Sequence, residues 1–178
     1  MGVLGSILNR SISGDFRSHA SSIGAYAFFD CTNLTGVSFP AAITIDTYAF
    51  YDCTNLTSVF FPVATTVGIY AFSNCDNLTS VSFPAVTAIG NLAFQSCANL
   101  TDASFSEATS IGNYAFRYCD SLTTIYVGTN RTGVCQLGAS VFTSCSSLTN
   151  IYVPSSLVDS YKTATNWSGY ADKIKAAP

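Results

Sequence analysis

Apolar and polar residues along this chain recur at a fixed period of twenty-two positions. Segments 23–40, 45–62, 67–84, 89–106 and 111–128 align almost every apolar position at that spacing. In each unit an Ala-Phe pair precedes a cysteine by three residues, and a leucine follows the cysteine by three more. A sixth unit, with Val141-Phe142, comes after a four-residue insertion. A fixed period of this length predicts stacked repeats.

Two different periodicities succeed each other within one unit. From Ile89 the apolar spacing of i, i+4, i+5 and i+8 favours a short helix or helical turn. After the leucine, alternation such as Val81 and Phe83 is typical of a half-buried strand, and proline ends most of these segments. Because such a unit has only one apolar side, successive units must stack, with strands ~4.8 Å apart in a parallel sheet. We expect an α/β repeat solenoid of six right-handed coils.

The unit Ile-Gly-x-Tyr-Ala-Phe-x-x-Cys-x-x-Leu-Thr-x-Val-x-Phe-Pro resembles the BspA-type, or Treponema-type, leucine-rich repeat. That family is marked by an Ala-Phe pair, a cysteine and then Leu-x-x-Ile-x-Ile-Pro, and the likeness extends over residues 23–154. Departures are local, with Leu92 in place of Tyr, and Ser106 and Gly128 in place of Pro. The resemblance implies a leucine-rich-repeat fold and a role like that of adhesins and surface-binding proteins.

The repeats divide the chain into three parts. Residues 1–22 are predicted to cap the first coil, residues 23–154 to form the six repeats, and residues 155–178 to form a helical C-terminal cap, since open solenoids need covered ends. The C-terminal part is expected to hold two short helices, whose apolar residues are Leu157, Val158, Tyr161, Ala164, Trp167, Tyr170 and Ile174. The segment that carries the four-residue insertion, residues 129–136, contains the odd Cys135 and is predicted to project as a loop.

Composition and charge narrow the class of partner. Only 10% of the residues are charged, against about 25% in ordinary domains. Between residues 23 and 127 the sequence has seven acidic residues and a single basic residue, Arg117. This charge balance argues against nucleic acid binding. No apolar run approaches the ~20 residues of a membrane span, so we expect no membrane insertion.

The N-terminus carries no signal-peptide pattern. The chain is therefore either released by another route or a fragment without its leader, and action outside a cell, on a virion or bacterial surface, is the expected location.

Seven cysteines raise the question of disulfides or metal. Six of them form one column with neighbours ~4.8 Å apart and parallel side chains, whereas a disulfide needs converging Cβ atoms at about 3.8 Å. They are interpreted as buried thiols that pack as small hydrophobic groups. With no Cys-x-x-Cys and a single histidine, His19, no metal site and no cofactor are predicted.

The sequence offers little for catalysis. It has one histidine, scattered aspartates and no phosphate-binding loop, so we expect no enzyme. The column Asp30, Asp52 and Asn74 is interpreted as a solvated turn position. Asn-x-Thr occurs at Asn33, Asn55, Asn77 and Asn99, but glycans ~4.8 Å apart would collide, so these are turn residues of a chain that is prokaryotic or viral.

The exposed strand face remains as the candidate binding surface. If Val81 and Phe83 point inward, their alternate neighbours point outward. The predicted binding residues are Phe60, Ser82, Asp102, Ser104, Tyr126 and Tyr152. Small polar residues with a few aromatic anchors suit a protein or glycan ligand. The alternative is that these aromatics fill the sheet face or contact a neighbouring subunit, which would make the chain a self-assembling virion or surface-layer component.

The short N-terminus also resembles the start of phage tail-associated repeat proteins. Host recognition by a phage tail or a bacterial surface protein is therefore the expected setting. The ligand, the bacterial or phage origin and the oligomeric state are not specified by the sequence.

Overall fold

The computed structural model describes residues 19–178, which form a solenoid of stacked coils. One short helix, α1 (Val158–Thr163), lies between the 3-10 turns Ser155–Leu157 and Ser168–Tyr170. The strands of the described residues are β1 (Ser22–Ile23), β2 (Gly36–Ser38), β3 (Thr44–Ile45), β4 (Ser58–Phe60), β5 (Thr66–Val67), β6 (Ser80–Ser82), β7 (Ala88–Ile89), β8 (Asp102–Phe105), β9 (Ser110–Ile111), β10 (Thr124–Val127), β11 (Gln136–Leu137), β12 (Asn150–Val153) and β13 (Ile174–Ala176).

The strands form two lines of parallel strands along the solenoid. The first line is a six-stranded sheet in the order β1-β3-β5-β7-β9-β11. The second line consists of the two-stranded sheet β2-β4 and the five-stranded sheet β13-β12-β10-β8-β6. Pairs such as Ile23 with Ile45 and Val81 with Ala103 join positions one repeat apart, so the coils stack in register as predicted.

The segment expected to be a helical turn is a run of tight turns instead. Every second N–H reaches the next coil, as from Phe28 to the Ala49 carbonyl (2.7 Å), while the others bond three residues back, as from Phe29 to Tyr26 (3.2 Å). A helix is excluded because Tyr26 and Asp30 have left-handed φ values of 59° and 56°. The turn segment therefore forms a third ladder of hydrogen bonds between coils, in addition to the two lines of strands.

Two columns of left-handed residues run along the turn segment. Each coil has one such residue in the column of Tyr26 and one in the column of Asp30. Aspartate and asparagine tolerate this conformation better than most residues, which explains the column of Asp30, Asp52 and Asn74. Its members also contact one another, since Asn74 Nδ2 donates to Asp52 Oδ1 at 3.1 Å.

The core is built on two stacks of phenylalanine. In the first, Phe72 lies 5.0 Å from Phe50 and 5.3 Å from Phe94, with nearly parallel rings. In the second, Phe83 lies 6.0 Å from Phe61 and 5.8 Å from Phe105. All of these rings are buried, and burying each one contributes roughly 2–3 kcal/mol.

The C-terminal cap agrees with prediction in its first half only. A helix is present at Val158–Thr163, and the second predicted helix is limited to the 3-10 turn Ser168–Tyr170. Ile174 instead lies in β13, which pairs with β12 opposite Ile151. The Ile151 N–H donates to the Lys173 carbonyl at 2.9 Å, so the last coil is closed by a strand that satisfies its polar edge. The predicted N-terminal cap lies outside the described residues, apart from its last four.

Candidate binding surface

Five of the six predicted binding residues lie on one sheet. Strand register places Ser82, Ser104, Tyr126 and Tyr152 side by side in one row across β6, β8, β10 and β12. Asp102 lies in the adjacent outward row, so neither tyrosine is its direct partner across the sheet. The inward neighbours Val81 and Phe83 are buried, so the predicted alternation of the strand face is confirmed. We call this surface the strand face.

Phe60 lies apart from the other predicted residues. It belongs to β4, and no hydrogen-bonded pairing joins β4 to β6 within residues 19–178. Its side chain is 55% exposed. Three coils separate Phe60 from Tyr126, a distance of roughly 14 Å at the usual strand spacing. The structure therefore does not bring Phe60 into contact with the tyrosines.

The row on the strand face ends in an aromatic pair. The rings of Tyr126 and Tyr152 stack with centroids 4.9 Å apart and an angle of 24° between their planes. The hydroxyls of Ser82 and Ser104 have no hydrogen bond to any residue of the described chain. The row thus combines free hydroxyl groups with a half-buried aromatic pair, which can anchor a ligand while the serines hydrogen-bond to it.

A cation that the sequence reasoning missed lies beside the aromatic pair. Lys175 in β13 is in register with Tyr152, and its Nζ donates to Asn150 Oδ1 at 2.6 Å. The segment Ile174–Ala176 was predicted as helix. Three residues of alternating polarity are too short a signal to identify a strand.

A second exposed surface was not predicted at all. Two inclined stacks of aromatic rings lie on the turn segment of the first three coils. In the first stack the ring centroid of Tyr48 lies 5.0 Å from that of Tyr26 and 4.8 Å from that of Tyr70. In the second stack the centroids of Phe29 and Tyr51 are 5.1 Å apart. Tyr26 is 57% and Phe29 43% exposed. We call these five residues the turn-face aromatic cluster. Its signal in the sequence is the column of tyrosines, which without coordinates is equally compatible with a core position.

A sequence profile of the BspA type leucine rich repeat region matches the chain in six copies, over residues 10–105 and 43–168. The chain belongs to this BspA-type leucine-rich repeat family. The family resemblance predicted from the repeat unit is thereby confirmed. Among curated proteins, none matches the sequence.

Solved structures of leucine-rich repeat proteins have a similar fold. The Treponema pallidum leucine rich repeat protein TpLRR superposes with a TM-score of 0.66 at 25% identity, covering 86% of this chain and 78% of that one. A leucine rich cell surface protein of Faecalibacterium prausnitzii A2-165 gives 0.62 at 28% identity, covering 74% of this chain. The match covers 36% of that longer protein.

The cysteine column of these BspA-type repeats is buried, as predicted, except for its partly exposed end members Cys31 and Cys145, but the thiols do more than fill space. All seven cysteines are free thiols, and the column donates S–H hydrogen bonds between coils, as from Cys97 Sγ to the Phe72 carbonyl at 3.1 Å. Burial, with the neighbouring Cys31 thiol adding to it, raises the pKa of Cys53 to about 12. Such a thiol is a poor nucleophile at neutral pH.

The repeat asparagines also serve coil stacking. Asn77 Nδ2 donates to the Thr54 carbonyl at 2.9 Å and to Asn55 Oδ1 at 3.2 Å. Asn55 Nδ2 in turn donates to the Thr32 carbonyl at 2.7 Å. A glycan attached to these nitrogens would break the bonds, which agrees with their interpretation as turn residues.

The insertion contacts the C-terminal cap, which the sequence reasoning did not foresee. The Cys135 N–H donates to Tyr161 Oη at 2.9 Å, and Trp167 Nε1 donates to the Cys135 carbonyl at 2.7 Å. Asn166 Nδ2 donates to the Leu137 carbonyl at 2.7 Å. Cys135 is only 1% exposed, so the prediction that the whole insertion projects as a loop is wrong: its end is a docking site for the cap.

Residues 19–178 contain no group of three or more His, Cys, Asp or Glu side chains placed to hold a metal ion. None of their helices combines the length and apolarity needed to cross a bilayer.

Proposed function

We propose that this BspA-type repeat chain is a non-enzymatic recognition module that binds a protein or glycan through the strand face. The observation that carries the proposal is the row of Ser82, Ser104, Tyr126 and Tyr152, in which free hydroxyls lead to a stacked aromatic pair. Aromatic anchors beside small polar groups are characteristic of recognition surfaces.

The chemistry around this row favours binding over catalysis. Asp102 and Lys175 add one charge of each sign near the tyrosines. The free thiols of the cysteine column point into the core, where burial raises their pKa. Proteins of this family are interaction and surface proteins, and nothing in the strand face combines a nucleophile with a base.

We infer that the module acts outside a cell, on a bacterial surface or a phage tail, in adhesion or host recognition. Support comes from the Faecalibacterium prausnitzii relative, which is named a leucine rich cell surface protein. The shortage of Lys and Arg in the repeats disfavours nucleic acid as the partner.

A screen of immobilised host-surface glycans and matrix proteins tests the proposal. The variant Phe60→Ser, Tyr126→Ser, Tyr152→Ser should lose at least tenfold in affinity for any ligand the native chain captures, since truncated aromatic anchors commonly cost about 1–2 kcal/mol or more each. The matched control is Tyr114→Ser, an exposed tyrosine of the turn segment. Equal binding by the triple variant and the native chain would remove the strand face from consideration.

Self-assembly is the second candidate function. It is favoured by the low charge content of 10% and by Phe60, a large apolar side chain 55% exposed on a sheet face. Light scattering on the purified chain would show an oligomer that Phe60→Ser dissociates. A native chain that stays monomeric at high concentration counts against assembly and leaves the strand face free for a ligand.

A further inference from the structure

The turn-face aromatic cluster lies on the surface of the solenoid, where Tyr26 and Phe29 are exposed and the other three rings are half-buried. Its two stacks are inclined to each other, by 65° between Tyr48 and Tyr51 and by 74° between Tyr51 and Tyr70. The shorter stack ends at Tyr51, because the next coil has Ser73 at that position. The ring of Tyr51 therefore has a face that no stacked ring covers.

The surroundings of the cluster are acidic. Asp30 and Asp52 directly follow Phe29 and Tyr51 in the chain. The sequence has no Lys or Arg between residues 18 and 116, and the ion pairs found within the described residues lie elsewhere, at Glu107 and Asp172. A cation placed on the cluster would therefore meet aromatic rings on a surface that carries carboxylates and no basic side chain of its own.

The fifth coil shows how this turn segment receives a cation. Arg117 occupies the position that Phe29 and Tyr51 hold in the first two coils. Its guanidinium carbon lies 4.4 Å from the ring centroid of Tyr118 and 5.4 Å from that of Tyr114. Its Nη2 also donates to Tyr118 Oη at 2.7 Å.

The first three coils present the same tyrosine column without an arginine of their own. Tyr114 corresponds to Tyr26, Tyr48 and Tyr70, and Tyr118 corresponds to Asp30. A carboxylate in place of Tyr118 attracts a guanidinium more strongly than a phenol does, because it adds a negative charge.

We propose that the turn-face aromatic cluster binds an arginine-bearing segment of a partner protein, on a surface distinct from the strand face. An arginine side chain would lie on the ring face of Tyr51 that no stacked ring covers, as Arg117 lies on Tyr118, with Tyr48 at the side and Asp30 and Asp52 pairing the charge. Arginine is preferred over lysine because the planar guanidinium stacks on rings and is less strongly hydrated. Phosphate-bearing or acidic partners are excluded by the same carboxylates.

The test uses three fluorescein-labelled peptides of the form Gly-X-Gly-X-Gly-X-Gly, in which X is arginine, lysine or uncharged citrulline. Fluorescence anisotropy is measured while the full chain is titrated in low-salt buffer. The arginine peptide should bind at least threefold more tightly than the lysine peptide, and the citrulline peptide should not bind measurably. The pair Tyr48→Ser, Tyr51→Ser should weaken binding of the arginine peptide by about three- to tenfold, the range expected for lost cation–π contacts.

Controls separate the cluster from general charge and from folding. Tyr48→Phe, Tyr51→Phe keeps the rings and should keep binding, while Asp30→Asn, Asp52→Asn should weaken it. The strand-face pair Tyr126→Ser, Tyr152→Ser has the same number of tyrosines removed and should leave binding unchanged. Equal affinity for the arginine and lysine peptides, or full affinity in the Tyr48→Ser, Tyr51→Ser variant, would show only diffuse attraction to an acidic protein and overturn the proposal.

Discussion

Replacing Gly90 by alanine tests whether coil stacking limits which residues this chain accepts. An alanine Cβ at this position would lie 2.6 Å from the Gly68 carbonyl carbon and 2.7 Å from the Ile69 nitrogen, both in the preceding coil. Non-bonded carbon atoms prefer about 3.5–4.0 Å, so the two coils would have to separate locally by about 0.9 Å. The atoms in conflict are backbone atoms and cannot rotate away.

The same column contains a matched control in the first coil. Gly24 is the equivalent residue of the first coil, and a Cβ added there meets no atom of residues 19–178 within 4 Å. Neither glycine has a left-handed φ, so alanine is compatible with both backbones. Gly24→Ala should therefore stabilise the chain by about 0.4–1 kcal/mol through the unfolded state.

The expected cost at Gly90 combines two effects. Overpacking against a rigid neighbour costs about 1–3 kcal/mol, and separating the coils strains the 2.8 Å hydrogen bond from the Gly90 N–H to the Val67 carbonyl, worth about 1 kcal/mol. After the unfolded-state gain, Gly90→Ala should destabilise by about 2–3 kcal/mol. Its difference from Gly24→Ala should then be about 3 kcal/mol.

Urea unfolding followed by circular dichroism measures both variants. The midpoint should fall for Gly90→Ala and rise slightly for Gly24→Ala, with an unchanged m-value. An unchanged m-value also checks that the repeats still unfold as one unit. Ordinary surface substitutions change the unfolding free energy by up to about 0.5 kcal/mol. If the two variants differ by less than that amount, the coils are not held at the close spacing that the prediction assumes.

Two further predictions concern the core thiols and the C-terminal cap. Burial raises the pKa of Cys53 from its ordinary 9.0 to about 12. Between these pH values the Cys53 thiol is neutral in the folded chain but ionised in the unfolded chain. The free energy of unfolding should therefore fall as the pH rises from about 9 to about 12. Urea unfolding at pH 8 and pH 10.5 should show a smaller loss in Cys53→Ala than in the native chain; equal losses would contradict the prediction. Tyr161→Phe and Trp167→Phe each leave a buried backbone group of Cys135 unpaired and should each cost about 1–3 kcal/mol. Thermal unfolding checks this, with Tyr152→Phe on the strand face as the unaffected control.

The stacking of the coils could be predicted because each stacked column corresponds to one position that recurs in every repeat of the sequence. The positions of Phe72, Cys75 and Val81 recur once in every repeat, and in-register stacking is the arrangement that buries all three columns at once. The alternation of the strand face followed from the same period, so Ser82 and Tyr126 could be assigned outward positions before the coordinates.

The turn segment was misread because two structures share its apolar spacing. The intervals from Ile89 to Ala93, Phe94 and Cys97 suit one face of a helix, and equally suit turns whose hydrogen bonds run to the next coil. Choosing between them requires the partner of each N–H, such as that from Phe94 to the Ala115 carbonyl. A single unit of sequence contains no information on that partner.

The cap contacts could not be predicted for a related reason. Trp167 and Cys135 are far apart in the sequence, and no repeat period relates them. Their contact depends on how α1 crosses the last coil. The turn-face aromatic cluster was visible as a column of tyrosines, but exposure of an aromatic column becomes evident only from the coordinates.

The variability of each column distinguishes positions that stabilise the fold from positions that form the surface. Where a column faces the core, its members hardly change, as with the leucines in line with Leu78. The outward column in line with Ser82 contains serine, phenylalanine and tyrosine in different coils, because stacking places no demand on it. Substitutions in the uniform columns should therefore alter stability and leave ligand specificity alone. Substitutions at the exposed Ser82 should do the reverse, and that division identifies which side of the solenoid the ligand selects.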